Sequence, residues 1–150
     1  MFYVSALQTL RQVNEIAPAF TSTNEIGIYI RQGLYQEALA KLEKAKRERK
    51  DDPILIYSTG VVYAAQGKKA EALAIIKDLE KISGNDLRQA HWIAKIYSVM
   101  GDKDQAFVWL ERGLAAGSIG AFYRDESAWD NLRSDPRFPD LLKRMGVPPR

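Results

Sequence analysis

The chain has 150 residues, 22 Lys plus Arg against 19 Asp plus Glu for a formal charge of +3, 46% hydrophobic side chains and no cysteine. With no thiol and His91 as its one histidine, it excludes zinc fingers, iron–sulfur clusters, Cys–His nucleophilic pairs and multi-histidine metal sites, so no metal or cofactor is expected. The most apolar stretches, 60–65 and 106–110, fall far short of the roughly 18 residues a membrane span requires. Residues 1–7 have neither the basic start nor the apolar core of a secretory signal, and a cytoplasmic location is the expectation.

Along residues 1–18, Phe2, Ala6, Leu7, Leu10, Val13 and Ala17 fall at helical spacing until Pro18 stops them. This segment reads as the second helix of an incomplete repeat. Its apolar side would then lack a covering helix, which leads us to expect that the chain was cut from a longer protein. Burying residues 2–16 against another copy would offer a route to a homodimer.

From residue 19 a period of 34 sets in. Ala38, Ala72 and Ala106 keep that step, as do Gly33, Gly67 and Gly101, and Tyr29, Tyr63 and Tyr97. Each copy reads as two helices. The first copy, 19–52, has a leading helix near 20–32 and a second helix expected to continue through Lys50. In the second, 53–86, Asp52 caps a helix that Pro53 opens and that runs to about Gln66. Gly67 then turns the chain, and Glu71, Ala72, Ile75, Ile76 and Leu79 begin an amphipathic helix that Gly84 ends. The third copy, 87–120, repeats the plan with Asp102 and Gln105 at capping-box spacing. Small Ala38, Ala72 and Ala106 let paired helices approach, and the tyrosines fill grooves between neighbours.

After Gly120 the period is lost. Residues 125–133 read as one short helix and 135–146 as another, opened by Asp135 and Pro136 and closed by Gly146. Together, 121–150 form an expected cap, with Trp129, Leu132, Phe138, Leu141 and Leu142 covering the helix around 107–114.

Gly60, Tyr63 and Ala72, on their 34-residue period, resemble the tetratricopeptide repeat, a helix–turn–helix unit that stacks into a right-handed superhelix. In the other copies Ile26 and Ala94 stand where that glycine would be, and Ile56 replaces the usual Trp. The run Leu132-Arg133-Ser134-Asp135-Pro136-Arg137-Phe138 followed by Leu141-Leu142 resembles the end of repeat arrays carboxy-terminal to a regulatory or signalling domain in bacterial and archaeal proteins. The resemblance implies an all-α solenoid of antiparallel helix pairs with a C-terminal helical cap, a protein-binding scaffold and no enzyme.

The resemblance also places a concave groove on the first helices. Arg31, Tyr57, Val61, Ala64, Arg88, His91 and Lys95 are its expected peptide-binding residues, with apolar contact in the middle and positive charge at the ends. Some family members grip a chaperone's carboxylate tail through Lys, Asn, Asn, Lys and Arg. Those positions hold Thr23, Gly27, Ser58, Arg88 and Trp92 here, so that activity is not carried over.

No catalytic residue is expected. The glycines at 113, 117 and 120 lack the strand and Gly-Lys-Ser/Thr of a phosphate loop and read as a turn between array and cap. Acidic residues at 51–52, 102–104 and 125–126 all fall at helix starts, where carboxylates cap amides. Residues 41–50 carry six bases and two acids, a solvated face in the simplest reading. The alternative is an adaptor for nucleic acid or an anionic surface, which the net charge is too small to favour.

Overall fold

A computed structural model describes residues 8, 23–85, 87–118 and 127–147. The expected half repeat over 1–18, apart from position 8, lies outside these residues, and so does its proposed role in a homodimer. Among the described residues the fold is all-helical: α1 (Thr23–Arg31), α2 (Tyr35–Glu48), α3 (Pro53–Ala65), α4 (Lys69–Ser83), α5 (Ala90–Met100), α6 (Lys103–Ala115), a 3-10 turn (Ser127–Trp129) and α7 (Arg137–Arg144). None of these helices is long and apolar enough to cross a membrane.

The helices form a solenoid of adjacent pairs. α1 packs on α2, α3 on α4 and α5 on α6; the first helices also meet one another, α1 with α3 and α3 with α5, while α2 and α4 each reach forward to the next first helix. Ala38, Ala72 and Ala106 are all fully buried at these pairings, in keeping with their small side chains.

The turn inside each pair explains why tyrosine and glycine recur together. The amides of Gly33, Gly67 and Gly101 donate to the carbonyls of Ile30, Ala64 and Ser98 at 3.0, 3.1 and 3.0 Å. The following amides of Leu34, Lys68 and Asp102 donate to Tyr29, Tyr63 and Tyr97 at 2.9, 2.9 and 3.0 Å. This is the Schellman closure, which needs a left-handed residue, and the three glycines have φ of +71°, +75° and +85°. Only glycine enters that region without steric cost.

The helix starts follow the expected chemistry. The Asp52 carboxylate accepts from the Ile54 amide at 3.1 Å ahead of Pro53, and Asp102 accepts from the Gln105 amide at 3.2 Å. Three boundaries differ from expectation. α2 ends at Glu48 rather than Lys50, because the chain turns through Asp51 at φ +59° to reach the Asp52 cap. Gly113 is not in a turn: α6 runs through it to Ala115, and Gly117 at φ +65° closes the helix. The segment after residue 126 forms a single 3-10 turn and then irregular turns, not a short α-helix.

The cap keeps a step that its sequence conceals. The 3-10 turn packs on α5, as α5 packs on α3. Ser98 Oγ donates to the Ala128 carbonyl at 2.5 Å, and Asn131 Nδ2 donates back to the Ser98 carbonyl at 2.7 Å. Arg137 binds Asp104 at 2.8 Å and Arg144 binds Glu111 at 2.8 Å, so α7 lies beside α6 and joins it at partners 33 residues apart. Trp129, Leu132, Phe138 and Leu141 are buried beneath. The cap thus continues the first-helix layer with its 3-10 turn and is tied to α6 by the side chains of α7.

Between α1 and α2, Lys41 pairs with the buried carboxylate of Glu25 and lies 5.6 Å from the Tyr29 ring. An amphipathic lysine suits this position, its stem packed and its ammonium on a buried acid.

Two substitutions test this packing in urea denaturation. Ala72→Leu is expected to overpack the α3–α4 contact and cost about 1–3 kcal/mol. Trp129→Ala is expected to cost about 3–5 kcal/mol by emptying the cap's core, and an unchanged midpoint would show that the cap does not support the array.

Candidate functional site

The first-helix layer gathers an aromatic and cationic cluster. Tyr57 of α3 stacks on Trp92 of α5, with ring centroids 5.4 Å apart and planes 17° from parallel. Lys95, one turn further along α5, puts its ammonium 5.8 Å from the Tyr57 ring and 5.7 Å from the ring of Trp129 in the cap. An ammonium over ring faces is attracted by their quadrupoles, more strongly when desolvated. The site therefore draws on two repeats and the cap.

Helical spacing sets this arrangement. Tyr57, Val61 and Ala64 share one side of α3, and Trp92 and Lys95 share one side of α5. Since α3 and α5 pack directly, the two rows meet. His91 adjoins the cluster, with its ring 5.4 Å from that of Trp92 and tilted by 51°.

His91 does not carry the charge expected of it. Burial first, and the neighbouring Lys95 ammonium second, lower its pKa to about 4, against the opposing pull of a hydrogen bond with the Arg88 backbone. At neutral pH the ring is an uncharged neighbour of Trp92.

The other expected site residues are distributed as follows. Tyr57 is 9% exposed and Lys95 6%, so both belong largely to the floor of the site. Val61 is half-buried on the α3 row, and Arg88 is exposed just before α5. Arg31, at the end of α1, lies over Gly27, with its guanidinium 3.8 Å from where a Cβ would be on that residue. Ser58, one of the chaperone-clamp positions, is buried and donates to the Ile54 carbonyl at 2.8 Å.

Ala64 belongs to a separate concavity. It lines an open cleft of about 590 Å³ with Gly67, Lys69, Met100, Gly101, Asp102, Lys103, Asp104 and Arg137, where the turns of two pairs meet the start of α7. Two members of the aromatic cluster were not among the expected binding residues: Trp92, which the sequence placed at a chaperone-clamp position, and Trp129, expected only in the cap. Trp92 stands 35 residues after Tyr57, one beyond the repeat step, so a strict period points to His91 instead.

Of the six bases in 41–50, Lys41 is paired with Glu25, Lys46 with Glu43 at 3.1 Å and Arg49 with Asp52 at 3.3 Å. Among the described residues, no group of three or more His, Asp or Glu is placed to hold a metal ion.

Over 115 residues the chain is 27% identical to the TPR repeat-containing protein YpiA of Bacillus subtilis (strain 168). The match takes in 73% of this chain and 27% of that protein, so the chain spans about a quarter of the relative's length. No family model and no solved structure matches the chain. The similarity supports the tetratricopeptide-like reading of the repeat.

The half-buried His91 makes a pH prediction. Its folded pKa of about 4 lies below the ordinary 6.5, so between those values the unfolded chain binds the proton that the folded chain refuses. Stability should fall as pH drops through that window and be fully present above it. Denaturation midpoints at pH 7 and pH 5 should therefore separate more in the native chain than in His91→Gln. Equal separations would mean that His91 is not held neutral by the fold.

Proposed function

We propose that the chain is a non-catalytic protein-interaction scaffold whose first-helix face binds a short protein segment. Under this reading the repeats run 19–52, 53–86 and 87–120, with a cap from 121 onward. The observation that carries it is the half-buried Trp92, held rigidly on the buried Tyr57, Lys95 and Trp129 so that its open edge is presented between two repeats and the cap. Aromatic anchors of this kind concentrate binding energy.

The ligand that suits it has one or two apolar side chains flanked by Asp or Glu. The apolar group would lie against the half-buried Trp92 and Val61, and an acid would approach the exposed Arg88. Affinity comes mainly from the covered apolar surface, since exposed ion pairs contribute about 0–1 kcal/mol each.

The alternative, a nucleic-acid or anionic-surface adaptor, would use the basic face of 41–50. Three of its six bases already hold carboxylates, which leaves Lys44, Arg47 and Lys50 as its exposed cations.

An array of synthetic peptides, each with one aromatic or aliphatic residue flanked by Glu or by Lys, separates these readings beside a labelled single-stranded oligonucleotide. The Glu-flanked set should bind, Trp92→Ala should weaken it about tenfold or more, and moderate salt should change it little. Oligonucleotide binding that falls steeply with salt and is lost in Lys44→Glu/Arg47→Glu would overturn the groove reading. A melt of Trp92→Ala checks that the variant is folded.

A further inference from the structure

The open cleft between the two inter-helix turns and α7 has a floor and a rim of different character. Its floor is Ala64, the half-buried Met100 and the backbone of Gly67 and Gly101, where an added Cβ would meet nothing within 4 Å. Five charged residues line it, and three are already committed. Arg137 binds Asp104 and chelates Asp135 at 2.8 Å, while Asp102 caps α6. Lys69 and Lys103, both exposed, form no direct ion pair among the described residues, although Lys103 lies near enough to Asp135 to help hold its carboxyl ionised.

These two lysines occupy the same repeat position, 34 residues apart, and line the same cleft from two different pairs. Each is the first residue of its helix, where the macrodipole favours an acid over a base. Neither therefore gains anything from its own helix. The α3 row of Tyr57, Val61 and Ala64 leads along the first-helix face into this cleft, because Ala64 lines it.

We infer that the cleft is a second binding site, one that takes the acidic end of a protein segment. A small aliphatic side chain would cover Ala64 and Met100, and two carboxylates would reach Lys69 and Lys103. This inference rests on the groove reading for the direction in which the segment runs, from Trp92 toward the glycine turns. It gives the segment a polarity, with its aromatic or apolar anchor first and its acids beyond.

The test uses a synthetic peptide with one Phe followed by Leu and a run of Glu, titrated into the labelled chain and followed by two-dimensional NMR. The amides of Gly67 and Gly101 report on the cleft, and the indole N–H of Trp92 reports on the groove. Expected are shifts at both glycines that vanish in Lys69→Glu/Lys103→Glu, with binding about tenfold weaker. They should also be absent for the same peptide with Lys in place of Glu. The double reversal keeps the fold, since acids suit both helix starts.

Shifts at Trp92 alone, or at neither reporter, would overturn the cleft assignment, and the first of these would leave the groove reading standing. Glycine shifts that survive the lysine reversal would overturn it too. Glycine shifts without any response at Trp92 would support the cleft and remove the groove reading.

Discussion

At Gly60, α3 comes so close to its neighbours that a Cβ would lie 2.7 Å from Ile75 Cγ2 on α4 and 2.7 Å from Ile96 Cδ1 on α5. The absent side chain lets one helix touch both its own partner and the next repeat's first helix. Everything that follows depends on that approach. The α3–α5 contact brings Tyr57 against Trp92, and α5 in turn receives the cap through Ser98 and Asn131. A wider spacing would separate the rings and leave Lys95 with one aromatic face instead of two.

The other copies solve the same problem with different residues, Ile26 and Ala94, both buried. The array is therefore not uniform, since in the middle pair alone this position has no side chain. Charge then secures its ends. At the amino side, Lys41 neutralises the buried Glu25 between α1 and α2. On the cap, hydrogen bonds from Arg144 and Arg137 hold the Glu111 and Asp135 carboxyls below their usual values, the latter at about 2. Arg144–Glu111 and Arg137–Asp104 are exposed and reach α6, so they position α7 more than they add to its stability, whereas Arg137–Asp135 is local to the start of α7.

The helices, their glycine turns and the Asp52 and Asp102 caps were legible in the sequence because each is local. A left-handed residue, a small residue and a tyrosine at fixed offsets leave a trace in a single repeat, and three copies amplify it. The cap was legible as a buried cluster but not as a continuation of the first-helix layer, since the element that packs there is a single 3-10 turn and its partners lie 33 residues apart. The candidate site was legible only in part. Periodicity located Tyr57, Val61 and Lys95 on one layer, but it could not reveal that Trp92 and not His91 meets Tyr57, or that burial removes the charge of His91. Those facts arise from how two helices rotate against each other, which no one repeat encodes. Lys69 and Lys103 did keep the period; their significance came from the cleft that they share.

Helix propensity and packing make opposite demands at Gly60, and this opposition permits a direct test. In an unconstrained helix, Gly→Ala stabilises by up to about 1 kcal/mol, whereas overpacking costs about 1–3 kcal/mol. The decisive measurement is the urea-denaturation free energy of Gly60→Ala, taken in the native chain and again in an Ile75→Ala background. Ile75 is the neighbour to truncate, because its Cγ2 sits directly on the branched Cβ and cannot swing aside, whereas Ile96 meets the site with the far end of a flexible side chain. Close approach predicts that Gly60→Ala destabilises the native chain and costs clearly less once Ile75 is truncated. An equal effect in both backgrounds, or stabilisation of the native chain, would contradict it.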